Sequence, residues 1–277
     1  MSELACGRFQ LNLDRPLVMG ILNLTPDSFS DGGRFNRLDA AVAHAQQMLA
    51  EGVDIIDIGG ESTRPNAPYV TPEEEAERVL PVLPLLAELG VPISLDTRRS
   101  SVMRAALTTG AVDLVNDVSA LEDEGALELL AASQAAICLM HKQGNPDTMQ
   151  QHPQYQDVVD EVGAYLQRRV ALCRSAGINN ERLLIDPGFG FGKTLEHNLE
   201  LLRRLPELQQ RVGVPLLVGL SRKSMLGAIT GEQTPVERLG ASVAAALLSA
   251  QLGAKIIRVH DVKATVQALN VLQALQL

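Results

Sequence analysis

The chain has 277 residues, 46% hydrophobic and 21% charged, which supplies a sizeable core and excludes a disordered chain. Its 24 Lys and Arg stand against 33 Asp and Glu, and the formal charge of −9 argues against wholesale binding to nucleic acid or an anionic membrane, a local basic pocket remaining allowed. Three widely spaced cysteines, Cys6, Cys138 and Cys173, make neither a disulfide framework nor a zinc pattern. The first residues lack the cationic start and apolar run of a signal peptide. The most apolar long stretch, 241–254, carries Ser and Gln and is too short to span a bilayer, so a soluble, cytoplasmic protein is expected.

Eight short β-branched or apolar runs follow one another at 18–22, 53–58, 93–95, 112–115, 136–140, 183–185, 216–219 and 256–259. Longer segments with helical periodicity lie between them, among them 38–51, 72–89, 154–176 and 235–252, and 262–275 closes the series. Thr71-Pro72-Glu73-Glu74 and Thr234-Pro235-Val236-Glu237 each place Thr at an N-cap, Pro at N1 and Glu at N3, which reads as a capping box. Pro81 and Pro84 should kink or split the second helix. Right-handed crossovers wind such alternation into a parallel sheet that eight strands close, so one (β/α)8 TIM-barrel domain over 1–277 is expected. A doubly wound open sheet binding a dinucleotide would need a glycine fingerprint after its first strand. The chain instead reads Asn23-Leu-Thr-Pro-Asp-Ser-Phe-Ser-Asp-Gly-Gly33 there.

Loop lengths locate a site. Helix-to-strand segments are minimal (Gly52, Gly90-Val91, Gly110-Ala111), whereas the strand-to-helix segments 23–37, 59–70, 141–153, 186–194 and 220–233 are long. In a barrel the second set builds the active face. Polar residues crowd the same ends: Asn23, Asp57, Asp96, Asn116 with Asp117, His141, Asp186, Ser221-Arg222-Lys223-Ser224, Arg258 and His260. Each carboxylate taken singly could cap a helix or hold structure, Asp57 above all because it just precedes Gly59-Gly60. Their convergence on one face points to a site.

Arg258 and His260 fall on one side of the eighth strand by period two, where barrels often hold phosphate, so an anionic substrate group is expected. A rim salt bridge to Asp261 is the structural alternative. Asp186 and Asn116 have no accompanying base; a carboxylate and an amide can instead read the edge of a guanine-like heterocycle. Lys223 could form a Schiff base if buried, or donate to a ring oxygen. Gly188-Phe189-Gly190-Phe191-Gly192-Lys193-Thr194 imitates a phosphate-binding loop, but that motif needs Gly where the chain has Pro187. The five histidines show no zinc-ligand spacing. Cys138 reads as a core thiol, while Met140 and Phe191 suit either the core or the wall of an aromatic ligand's pocket.

Several of these segments together resemble bacterial dihydropteroate synthases. They are Gly20-Ile-Leu-Asn-Leu-Thr-Pro-Asp-Ser-Phe-Ser-Asp-Gly-Gly33, Gly59-Gly-Glu-Ser-Thr-Arg-Pro65, Asn116-Asp117, Leu139-Met-His, Asp186-Pro-Gly-Phe-Gly-Phe-Gly-Lys193, Gly219-Leu-Ser-Arg-Lys-Ser224 and Arg258-Val-His-Asp-Val262. The likeness runs from about Leu17 to the C-terminus. Pterin-binding methyltransferases share the first signature loosely; the Ser-Thr-Arg-Pro and Ser-Arg-Lys-Ser segments are more specific to the synthases.

The resemblance implies condensation of 6-hydroxymethyl-7,8-dihydropterin diphosphate with 4-aminobenzoate, giving 7,8-dihydropteroate and pyrophosphate. By position it implies that Asp96, Asn116, Asp186 and Lys223 hold the pterin, with Met140 beside them, and that Arg258 and His260 hold the diphosphate. Asn23 would ligate Mg²⁺. Phe29, Thr63, Arg64 and Pro65, with Phe191 and Ser224, would form the 4-aminobenzoate subsite, where sulfonamides should compete. Asp96, Lys223, Arg258 and His260 are the residues expected to act in catalysis, and a homodimer is expected. Asn66, and Leu95 in place of the commoner Val before Asp96, depart from the family pattern, the first leaving the second loop's mobility open. A methyltransferase, a Lys223 Schiff-base aldolase and a non-catalytic pterin-binding subunit are the alternatives.

Overall fold

The computed structural model describes every residue except 1–2, 25–33, 63–68, 145–148, 150, 152 and 276–277, and the side chains of 34–37. It begins with two strands that periodicity did not reveal, β1 (Glu3–Cys6) and β2 (Phe9–Asn12), paired antiparallel. Each is four residues long, too short for an alternation to stand out, and β2 buries little. The hairpin is tied down by Arg8, whose Nε and Nη2 donate to the buried Asp113 carboxylate at 2.9 and 2.7 Å.

Eight parallel strands follow: β3 (Leu17–Asn23), β4 (Ile55–Gly59), β5 (Ile93–Asp96), β6 (Leu114–Asp117), β7 (Ala136–Met140), β8 (Leu183–Asp186), β9 (Leu217–Val218) and β10 (Ile256–Val259). Their order runs β8-β7-β6-β5-β4-β3-β10-β9, and a parallel bridge between Ile185 and Leu216 joins the two ends. The sheet is therefore the expected (β/α)8 barrel. Around it lie α1 (Arg34–Ala50), α2 (Pro72–Val79), α3 (Leu83–Ala87), α4 (Ser100–Leu107), α5 (Ala126–Ala131), α6 (Val158–Ser175), α7 (Leu195–Arg203), α8 (Leu205–Val212), α9 (Ser224–Thr230), α10 (Leu239–Gln251) and α11 (Val262–Leu275).

Residues two apart on each strand point inward and build the barrel interior. Its lower layer is apolar: Met19, Ile55, Leu114, Ala136, Cys138, Leu184, Leu217 and Ile256 pack together, and Leu4 and Cys6 of the hairpin close the bottom. A second, larger cluster fills the space between sheet and helices. No helix among the described residues is long and apolar enough to cross a membrane.

Helix boundaries test the local reading. Pro81 and Pro84 do divide the second helix, into α2 and α3. The Thr71 box forms, with the Glu74 N–H donating to Thr71 Oγ1 at 3.2 Å and the Thr71 N–H to Glu74 Oε2 at 3.1 Å. The Thr234 box does not. Residues 235–238 wind as a 3₁₀ turn in which the Glu237 N–H bonds the Thr234 carbonyl, and the Thr234 N–H turns back to Glu232 Oε1 at 2.7 Å. Arg238 explains the tightening: its buried guanidinium bonds the carbonyls of Arg222, Glu232 and Gln233 and winds the segment around itself. The helix expected from 154 starts at Val158, where Asp157 caps it by accepting from Val159 and Asp160 N–H groups at 2.9 Å.

Candidate active site

One step of two residues up the strands turns a mostly apolar interior into a mostly polar one. Above Ile55 stands Asp57, above Ser94 Asp96, above Leu114 Asn116, above Cys138 Met140, above Leu184 Asp186 and above Ile256 Arg258. The parallel register puts Asp96 opposite Asn116 and Met140 opposite Asp186. These residues therefore ring the C-terminal mouth of the barrel.

Arg258 lies at the centre of this ring. Its Nε donates to Asp57 Oδ2 and its Nη2 to Asp96 Oδ2, both at 2.6 Å. Asn116 Nδ2 reaches the same Asp57 oxygen at 3.3 Å. The rim bridge to Asp261 does exist, but it belongs to Arg222, whose Nε and Nη2 lie 3.0 and 2.5 Å from that carboxylate. Arg222 sits at φ +59, in the left-handed region that side chains other than glycine's seldom adopt. Asp57, expected above all as a structural residue, is fully buried and joins Arg258 to Asn116 from below, while its Oδ1 has no hydrogen-bond partner among the described residues.

Burial raises the carboxyl of Asp96 to about 7, with Arg258 opposing and Asp57 reinforcing the shift. Burial likewise raises Asp186, against the pull of Lys223, and lowers Lys223 to about 8, against the pull of Asp186. Lys223 Nζ donates to the Phe189 carbonyl at 2.5 Å and lies 4.9 Å from the centre of the Phe191 ring. Asp186 Oδ1 accepts the Gly188 N–H at 2.7 Å. The mouth thus holds the carboxylates of Asp57, Asp96 and Asp186 against the cations of Arg258 and Lys223, and can accommodate a polar heterocycle that carries donors and gathers positive charge.

The remaining expected residues are distributed around this ring. His260 follows β10, and its Nδ1 and the Ser221 hydroxyl are 3.0 Å apart. Ser224 is the exposed first residue of α9, next to Lys223. Asn23 ends β3 on the inward row of Leu17, Met19 and Ile21. Phe29, Thr63, Arg64 and Pro65 lie outside the described residues. Asp117 does not join the mouth: both its oxygens accept backbone N–H groups of its own loop, those of Ser119 and Leu121, at 2.7 Å. His141 is buried behind the mouth against Lys193, and Tyr165 packs edge-on to its ring. Lys193 is a buried cation to which the sequence reading gave no role, because it lies in a segment set aside for lacking the phosphate-loop spacing.

Comparison with known proteins agrees with this geometry. The profile of the family described as pterin binding enzyme matches residues 19–260. The dihydropteroate synthase of Neisseria meningitidis serogroup B is 59% identical over 273 residues, covering 97% of this chain and 96% of the relative. The solved structure of Xanthomonas albilineans dihydropteroate synthase with 4-aminobenzoic acid has a TM-score of 0.93 and 50% identity, covering 99% of this chain and 98% of the other. That of Yersinia pestis dihydropteroate synthase in a sulfonamide drug complex gives 0.91 at 48% identity, with 98% of both chains covered. With half or more of its residues shared along almost its full length, the chain belongs to the dihydropteroate synthase family of pterin binding enzymes.

Proposed function

We propose that the barrel mouth condenses 6-hydroxymethyl-7,8-dihydropterin diphosphate with 4-aminobenzoate, releasing pyrophosphate and 7,8-dihydropteroate. The observation that carries this reading is the ionic ring itself, which supplies separate partners for a heterocycle, an anion and a developing cation. Asp186 and Asn116 read the pterin edge, Asp96 faces its ring N–H groups, Met140 lies against its plane and Lys223 donates to the ring oxygen. Arg258 and His260 hold the diphosphate. Phe191 and Ser224, with Phe29, Thr63, Arg64 and Pro65 from the two signature loops, receive 4-aminobenzoate, and sulfonamides compete there.

The chemistry follows from charge. Diphosphate departs first, and the positive charge left on the pterin methylene delocalises into the ring, where the carboxylates of Asp96 and Asp186 stabilise it. The aryl amine is neutral and nucleophilic at pH 7, so it needs position rather than a base. Asn23 has a hard amide oxygen at the end of β3, and such a donor would suit Mg²⁺. When bound there, the ion neutralises charge on the leaving group.

Two further points belong to the same reading. The exposed apolar side chains Leu239 and Leu248 of α10 and Val271 and Leu275 of α11 suit a homodimer contact. The three cysteines are unpaired and buried, in keeping with the reducing cytoplasm. The test is product formation: purified protein with both substrates and Mg²⁺ should yield dihydropteroate by mass, less so with a chelator or a sulfonamide. Saturable pterin binding without product would overturn the synthase reading in favour of a methyltransferase or a non-catalytic subunit.

A further inference from the structure

The false phosphate loop of residues 188–194 is a rigid shelf, and its lysine faces inward. Gly188 and Gly192 adopt φ of +69 and +63, and a Cβ at either would overlap a carbonyl oxygen of the β7–α6 loop, that of His141 or that of Gln143. Such close backbone contact leaves a small inner space, and the Lys193 side chain fills it. Its Nζ lies 2.9 Å from the Gly188 carbonyl, 3.1 Å from the Phe191 carbonyl and 3.0 Å from His141 Nδ1. An ammonium has three N–H donors, so these acceptors occupy all of them and none remains for a phosphate. Two other side chains brace the same loop. Asn198 accepts from the Gly190 N–H at 2.8 Å and donates to the Thr194 carbonyl at 2.6 Å, and Tyr155 donates to the Gly192 carbonyl at 2.9 Å.

What this shelf presents to the mouth is the environment of Lys223. The Phe189 carbonyl accepts from its Nζ, the Phe191 ring lies under it, and a Cβ on Gly190 would come within 3.6 Å of its Cδ. We infer that Lys193 is a positioning residue: by locking the β8–α7 loop onto His141, it holds the Phe189 carbonyl and the Phe191 ring where they orient Lys223 toward the pterin. This rests on the reading of Lys223 given above. Lys193 touches no substrate and acts only through that neighbour. Replacing it leaves buried carbonyl oxygens and an imidazole nitrogen without a donor, so the loop must shift to recover partners.

The experiment is a double-mutant cycle on the full chain, with binding of 6-hydroxymethyl-7,8-dihydropterin followed by calorimetry and folding by thermal melting. Lys193→Gln should weaken binding by about tenfold in the native background and by less than about twofold when Lys223→Met is already present. Asn198→Ala releases the same loop without removing a buried charge, and should show the same coupling if Lys193→Gln does not fold. Equal losses in both backgrounds, or a lower melting temperature with unchanged affinity, would overturn the inference and leave Lys193 a residue of stability alone. Native affinity in Lys223→Met by itself would remove the reading of Lys223, and the positioning role with it.

Discussion

The two ends of the barrel interior are built on the same strands yet follow opposite rules. At the bottom, Ile55, Leu114, Leu184 and Ile256 pack with Leu4 and Cys6 of the hairpin and contribute through burial. Two residues further on, one pleat repeat of about 6.6 Å, the inward positions become Asp57, Asn116, Asp186 and Arg258. Burying those groups costs free energy that only their mutual pairing offsets. A substitution on the lower level should therefore move stability and spare chemistry, whereas one on the upper level should move chemistry, and stability as well where it leaves a buried charge unpaired.

The largest effect should come from breaking the ionic level. Arg258→Met leaves Asp57 buried without a cation and should lower stability by about 3–5 kcal/mol, seen as a fall in melting temperature. Adding Asp57→Leu should restore most of that stability and none of the activity. Asp96→Asn should reduce turnover by about 10²–10³-fold, more than it weakens pterin binding, with little change in melting. Equal losses in turnover and affinity would show that Asp96 only binds. One level lower, Leu184→Ala should cost about 2–5 kcal/mol in stability while kcat/KM below the melting transition stays native.

The smallest effect is a shift in pH. If Asp96 stabilises a cation as proposed, it must be ionised, so kcat/KM should rise with pH through about 7 and fall again as Lys223 loses its proton near about 8. The negative charge of Asp57 favours protonated Asp96; Asp57→Asn removes it and should move the acid limb down by about one unit. A limb that stays in place would mean that Asp57 acts only by holding Arg258 and Asn116.

Most of the barrel was legible because eight apolar runs and their helices repeat at fairly even spacing, and period two put Arg258 and His260 on one side of the last strand. Partners were less accessible. Period two paired Arg258 with His260 on one side of the strand but could not show that Asp57 and Asp96 share Arg258, or that Arg222 takes Asp261 instead. The hairpin escaped because four-residue strands carry little pattern, and its role depends on a salt bridge to Asp113 about a hundred residues away in sequence. The Thr234 box failed because the bonds of Arg238 to the carbonyls of Arg222, Glu232 and Gln233 outweighed a side-chain cap. Lys193 shows the reverse case: a segment set aside for lacking the phosphate-loop spacing still carried a lysine that folds inward onto loop carbonyls and His141.

Calorimetry of 6-hydroxymethyl-7,8-dihydropterin with the native chain and with Asp186→Asn, each matched by a melting curve, tests the central claim most directly. Asparagine keeps an oxygen for the Gly188 N–H and loses only the charge, so the loop beneath should hold. The account predicts saturable native binding that weakens by about tenfold or more in the variant, with an equal or higher melting temperature. Native affinity in the variant, or a loss of affinity explained by a loss of fold, would contradict the assignment of the barrel mouth as the pterin site.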